Sequence, residues 1–265
     1  SAILIALAFV MAACGATQPS VSEGAGASTP AEESSAPAPS QGGDATGGTV
    51  RIGIGGSADS LNPGNGVLAE SYTLYGLMYD TPIEITSDGE YVPELATDWV
   101  VSEDGLTWTL TIREDATFHD GEPLTAEDVA YSLNLYKATE DFPFLASYPA
   151  IYDTIEATDD TTVVLTTADP IGNFESTMVF MYILPQHIWE AEDDPVAFEN
   201  ADMIGSGPFM LTEYSQGEFV ELASNTEYWG TPPNVDGVIF QTISNADARV
   251  TALTTGEVDA ITEFP

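Results

Sequence analysis

Basic residues are nearly missing from this 265-residue chain: four Lys or Arg stand against 43 Asp or Glu, for a formal net charge of −39. So negative a chain repels phosphate backbones and anionic lipid headgroups, which argues against nucleic acid as a partner. The acids are spread along the sequence instead of forming a tail. They read first as a solvated surface suited to a saline exterior, and only second as a field that draws cationic ligands. Cysteine is scarcer still. A lone Cys14 excludes an intrachain disulfide, and with two distant histidines, His119 and His187, it cannot complete a four-ligand zinc set; no cofactor or metal is expected. The longest apolar run, residues 2–13, falls short of the roughly 20 residues a membrane-spanning helix needs. Local catalytic signatures are lacking too: there is no nucleophile elbow, no His-Glu-x-x-His, no phosphate loop and no Cys-His pair. Gly53, Gly55 and Gly56 lack the spacing of a dinucleotide loop, and Asn62-Pro63 follows where its helix should open. Two carboxylates brought together by folding would leave no local motif, so a secreted acidic glycoside hydrolase stays open as an alternative, beside a passive surface lipoprotein.

What is present begins with that short apolar run, which ends in small residues before Cys14 and reads as a signal-peptide core over residues 1–14. Met11-Ala12-Ala13-Cys14 resembles the lipobox of bacterial lipoproteins, which implies lipidation at Cys14 and a membrane attachment through the lipid. No Met and no basic segment precede the run, so the true start is expected upstream. From Gly15 to Gly48 the chain is Gly, Ala, Ser, Thr, Pro and a few acids, with Val21 its only branched aliphatic residue. Such a segment buries too little apolar area to offset chain entropy, and reads as a disordered tether reaching roughly 30 Å.

The central pattern runs from Leu106 to Lys137. Leu106, Trp108, Leu110 and Ile112 alternate with threonines, which predicts a half-buried strand. Asp120-Gly121 supplies a tight turn, and Thr125 with Asp128 three residues later forms a capping box. Val129, Leu133 and Tyr136 then share one helical face. The run Ile112-Arg113, Phe118-His119-Asp120-Gly121 and Pro123-Leu124-Thr125-Ala126-Glu127-Asp128-Val129 resembles the signature of the family 5 extracellular solute-binding proteins, the peptide and nickel receptors of ATP-binding-cassette (ABC) importers. In that family the stretch holds the fold together. His119 accordingly reads as a turn residue satisfied by local hydrogen bonds.

Further resemblances follow in order: Ser60-Leu61-Asn62-Pro63, Pro93-Glu94-Leu95-Ala96-Thr97-Asp98-Trp99, Leu184-Pro185-Gln186-His187-Ile188, Gly205-Ser206-Gly207-Pro208-Phe209 and Asn225-Thr226-Glu227-Tyr228-Trp229-Gly230. Between them the pattern predicts a strand from Thr49, a helix whose later positions Tyr72, Tyr75 and Met78 are core, and a β-meander over Ile83–Ile112. It also predicts hairpins over 155–166 and 209–222, a helix over Asn173–Ile183, a helix over Ala246–Thr255 closed by Gly256, and a strand from Val258. Trp99 and Trp108 read as core anchors, and His187 as packed or capping.

The resemblance implies an α/β fold: a periplasmic-binding-protein-like lobe, a mixed sheet with flanking helices, formed by 49–82 and 200–265, plus an inserted α+β subdomain over 83–199. The second lobe would be missing, and the whole receptor would be about twice as long. It implies a non-enzymatic receptor outside the cell that captures a small solute, a short peptide fitting best, and delivers it to an ABC permease. The ligand-facing positions it suggests are Gly66, Val67 and Leu68, the aromatics Phe144 and Tyr148, and Glu263 with Phe264 at the hinge.

Overall fold

The computed structural model describes residues 47–262. Cys14, the signal segment, nearly all of the tether, and Glu263 and Phe264 lie outside the described residues. Two larger sheets and one two-stranded pair carry the described residues. The first strand, β1 (Thr49–Ile54), and the helix α1 (Ala69–Met78) are followed by β2 (Ile83–Ile85), β3 (Tyr91–Pro93), β4 (Ala96–Val101) and β5 (Thr107–Ile112). Helix α2 (Ala126–Ala138) leads to the hairpin β6 (Tyr152–Asp159) and β7 (Thr162–Thr167), then to the short helices α3 (Phe174–Met178) and α4 (Gln186–Trp189). The chain continues with β8 (Phe209–Ser215), β9 (Phe219–Ser224), β10 (Gly237–Thr242), α5 (Ala246–Thr255) and β11 (Ala260–Ile261).

The five-stranded mixed sheet has the order β11-β1-β10-β9-β8. β1 runs parallel to both β10 and β11, from Thr49 opposite Gly237 and from Ile52 opposite Ala260, while β10, β9 and β8 form antiparallel pairs. Val238, Phe240, Val220 and Leu222 are buried on one face. α5 opens on Asn245, whose side chain accepts from the Ala248 amide, and closes on Gly256 at φ 76°, a conformation glycine adopts without strain. β11 is an edge strand and is shorter than the Val258 start predicted; Val258 itself is buried.

The second sheet has the order β4-β5-β7-β6. In β5 the alternation places Trp108, Leu110 and Ile112 inward, and Val163 and Leu165 of β7 join them. α2 covers this face with Val129, Leu133 and Tyr136, all fully buried, and burying such side chains stabilises by roughly 1.5–3 kcal/mol each. Its first turn is capped by the Asp128 carboxylate, which accepts from the Thr125 amide at 2.9 Å and hydroxyl at 3.1 Å. Gly121 takes φ 91°, as its turn requires.

Several expectations are corrected. The predicted meander divides: β2 and β3 pair only with each other, and β4 and β5 belong to the four-stranded sheet. Trp99 is half-buried, with its indole N–H donated to Glu175 at 3.2 Å. The helix expected over Asn173–Ile183 ends at Met178. Beyond it the backbone is drawn into tertiary bonds: the Tyr182 carbonyl accepts from the Tyr136 hydroxyl, the Ile183 amide donates to the Asp80 carbonyl, and the Leu184 amide donates to Ser132 Oγ. His119 bonds at long range. Its Nε2 lies 3.0 Å from the Gly207 carbonyl and its Nδ1 accepts the Gly205 amide at 3.1 Å. Burial pushes its pKa below the usual value, favouring the neutral ring that this accepting role requires. His187 reaches the Asp120 carboxylate at 2.8 Å.

Gly205 and Gly207 let the backbone pass the end of α1 with no room for a side chain. A Cβ at Gly205 would lie 1.9 Å from the Met78 carbonyl, and one at Gly207 would lie 2.7 Å from that of Leu77. Just beyond, Asp80 is buried and its carboxylate accepts from the Tyr228 hydroxyl at 2.9 Å and the Trp229 indole at 2.8 Å. Glu94, between β3 and β4, turns its carboxylate onto the hydroxyl and amide of Thr81. Desolvation pushes Asp80 up to about 6; desolvation first, then the Asp80 charge, raise Glu94 well above the carboxylate range. Arg113 lies over the Trp229 ring at 3.4 Å while its guanidinium bonds Asp115. This cluster fastens the β4–β5 side of the molecule to the turn after β9.

Candidate functional site

The segment entering α1 is held rigidly yet leaves apolar side chains in the open. The Asp59 carboxylate accepts from the Val67 and Leu68 amides and, at 2.6 Å, from Ser71 Oγ. The usual electropositive opening of a helix is thereby answered within the chain. Burial raises the Asp59 pKa, but these hydrogen bonds outweigh it and hold the group below its ordinary value, so it is ionised at neutral pH. Tyr75 fixes the preceding turn by donating to the carbonyls of Ser60 and Asn62. A Cβ at Gly66 would meet the Tyr75 hydroxyl at 2.5 Å, so glycine is what lets the chain lie against that ring.

With its backbone fixed in this way, the segment exposes Val67 by 48% and Leu68 by 45%. Leu68 lies at the start of the helix, while Leu74, Tyr75 and Met78 fill the buried face. Tyr72, half-buried, donates to the Gly66 carbonyl at 3.2 Å and packs against Tyr75 and Tyr182, with centroids 5.6 and 6.4 Å away. Tyr148 stacks on Phe180 at 5.5 Å and 19°, and its phenol is near enough to Tyr72 to help raise that pKa, after burial itself. The turn that follows α3, Phe180–Tyr182, joins the two groups, because Phe180 meets Tyr148 and Tyr182 meets Tyr72. The result is a wall built from the α1 entry, Tyr148 and this turn.

Of the residues singled out from sequence, Gly66, Val67, Leu68 and Tyr148 come to this wall. Phe144 is 49% exposed in the neighbouring loop and is not part of the ring stack. Phe180, 42% exposed, and Tyr182 were missed, because the helical reading of 173–183 gave them no distinct direction. The one available signal was Pro185, which disfavours helix in the residue before it. Among the described residues no group of three or more His, Cys, Asp or Glu could hold a metal ion.

A mixed sheet with flanking helices is also the build of solved periplasmic binding proteins over this length. The solved structure of the periplasmic binding protein DppA from Helicobacter pylori, in complex with the peptide STSA, superposes with TM-score 0.74 at 27% identity over 83% of this chain and 48% of that one. Residues 90–265 match the family described as bacterial extracellular solute-binding proteins, family 5 Middle, and the chain belongs to that family. Protein XP55 of Streptomyces lividans is 32% identical over 80% of this chain and 38% of its own length. The D,D-dipeptide-binding periplasmic protein DdpA of Escherichia coli, designated probable, is 30% identical over 80% of this chain and 43% of its length. The chain thus spans less than half the length of these relatives.

Proposed function

We propose that this chain forms one half of a solute receptor of an ABC importer, and that the wall of Val67, Leu68, Tyr72, Tyr148 and Phe180 faces the ligand. The observation that carries the reading is the exposure of Val67 and Leu68 on a backbone fixed by Asp59 and Tyr75, beside exposed Phe180 and half-buried Tyr72 and Tyr148. Aromatic surface left open on a rigid support suits a cleft that a second lobe closes over its ligand. Affinity then comes from contacts made in the closed state, which the permease would recognise. A short peptide fits best, supported by the peptide-bound DppA relative and the dipeptide-binding designation of DdpA.

In this reading residues 49–82 and 200–265 make the lobe core and 83–199 an inserted subdomain; the two separate sheets support that division. Glu263 and Phe264 would sit at the hinge, and Cys14 would carry the lipid that holds the receptor at the outer face of the cytoplasmic membrane or in the periplasm. The receptor binds without chemistry. Calorimetry on the complete protein with peptides, sugars and nickel complexes tests this. Micromolar or tighter peptide binding, weakened by Tyr148→Ala, is the expected result. Absence of binding across the panel, or turnover of a glycoside abolished by one Asp or Glu substitution, overturns the reading.

A further inference from the structure

The four cations of this chain are all placed away from the aromatic wall. Arg113 is paired with Asp115 and lies over Trp229. Lys137 donates to the carbonyls of Tyr152 and Asp153. Arg249 is buried against the carbonyls of Ile243 and Ser244. Arg51 stands on β1 opposite Ile239 of β10, beside Phe219 and Glu221 on the far side of the sheet from buried Val238 and Phe240. The histidines are engaged at Gly205, Gly207 and Asp120.

Two backbone donors at the wall are engaged as well. The Val67 and Leu68 amides, which could have held an anion, already point at Asp59. That carboxylate is itself exposed and near enough to Tyr72 and Tyr214 to raise both phenols. An anionic group brought to the wall would meet a negative edge, the electron-rich ring faces and no donor of positive charge. A cation meets the reverse on every count, since ring faces and a nearby carboxylate both attract it.

We propose that the wall receives a basic side chain, a guanidinium or ammonium laid over Tyr148, Phe180 and Tyr72 with its charge toward Asp59, and that the receptor prefers basic to acidic peptides. This rests on the peptide reading above. The net charge of −39 adds a long-range contribution in the same direction by drawing cationic peptides toward the surface.

The test is calorimetry on the complete protein with the tripeptides Ala-Arg-Ala, Ala-norleucine-Ala and Ala-Glu-Ala, at low and high salt. The expected order is Arg, norleucine, Glu, with about tenfold between successive peptides, and with salt weakening the Arg peptide alone. Two variants on exposed, fold-neutral positions, Val67→Lys and Leu68→Arg, should each narrow or invert the Arg-over-Glu preference. Phe180→Ala should weaken the Arg peptide by about tenfold and the Glu peptide by less, so that the ratio between them narrows. If the Glu peptide binds as well as the Arg peptide, or if Val67→Lys leaves the ratio untouched, the inference is overturned while the peptide reading stands. If none of the three binds while a sugar or nickel complex does, both fall together.

Discussion

Replacing Asp80 with asparagine should change how the stability of this chain depends on pH more than it changes stability at any one pH. In the folded chain the Asp80 carboxyl is buried beside Glu94 and its pKa rises from 3.8 to about 6, desolvation being the main cause. The folded state therefore holds this proton more tightly than the unfolded one. The resulting stability is fully present below about pH 4 and is lost as pH rises through about 6, at roughly 1.4 kcal/mol per pKa unit, or on the order of 3 kcal/mol in all. The facing groups push the other way without overcoming desolvation: hydrogen bonds with Trp229, Tyr228, Ser206 and Glu94 each lower the Asp80 pKa. Glu94 and Glu84 are acidic, Tyr228 is a neutral donor, and the Arg113 charge is engaged with Asp115. The substituted amide would carry no charge but offers one acceptor to two donors, so either Tyr228 or Trp229 loses its bond, at about 1–3 kcal/mol. The variant is expected to be the less stable protein at pH 4.5 and to draw level with or pass the wild type by pH 7.5, a relative swing of about 2 kcal/mol. Guanidinium unfolding followed by tryptophan fluorescence at several pH values reads this directly, and the general repulsion from the other acids cancels in the comparison. Parallel curves for the two proteins across that range would refute the buried proton.

Other substitutions probe the close approaches. Gly205→Ala places a methyl against the Met78 carbonyl, which cannot move without shifting α1, so a loss of at least about 3 kcal/mol or failure to accumulate folded protein is expected in thermal melts. Tyr75→Phe removes the donor shared by Ser60 and Asn62 and should cost about 1–2 kcal/mol by denaturant titration. Gly66→Ala should weaken ligand binding in calorimetry more than it lowers the melting temperature, because its Cβ displaces the segment that bears Val67 and Leu68 from the Tyr75 hydroxyl. His119→Ala leaves the Gly205 amide without its acceptor and is expected to lower stability by about 1–3 kcal/mol in the same titration.

The parts of the fold that the sequence made legible are those fixed by neighbours in the chain. β5 follows its alternation, Gly121 its turn, α2 its Thr125–Asp128 box, and α5 its closing Gly256. Hairpins β6–β7 and β8–β9 were readable for the same reason. Phe180 to Leu184 shows where local patterning loses. Its spacing suits a helix, but Tyr136, Ser132 and Asp80, all distant in sequence, take its backbone groups. Asp80 and Glu94 each look like one more acid in a very acidic chain, and only the packing of Tyr228 and Trp229 sets them apart. Half of the wall was legible for an analogous reason: Gly66–Leu68 leads into a recognisable helix, whereas the stacking of Tyr148 on Phe180 depends on a turn that the pattern misassigned as helix.

The parallel pairing of β1 sets a timetable for the newborn chain. The amide bonds from Gly48 and Arg51 to Asp236 and Asp259 span 188 and 208 residues, so the first strand waits for partners made last. At 5–20 residues per second a ribosome needs roughly 10–40 s to supply them. Throughout that interval Val50, Ile52 and Ile54 have no sheet to join, whereas the hairpin of β6 and β7 can close as soon as it emerges. Within this stretch the local hairpins can thus close well before β1 finds its sheet.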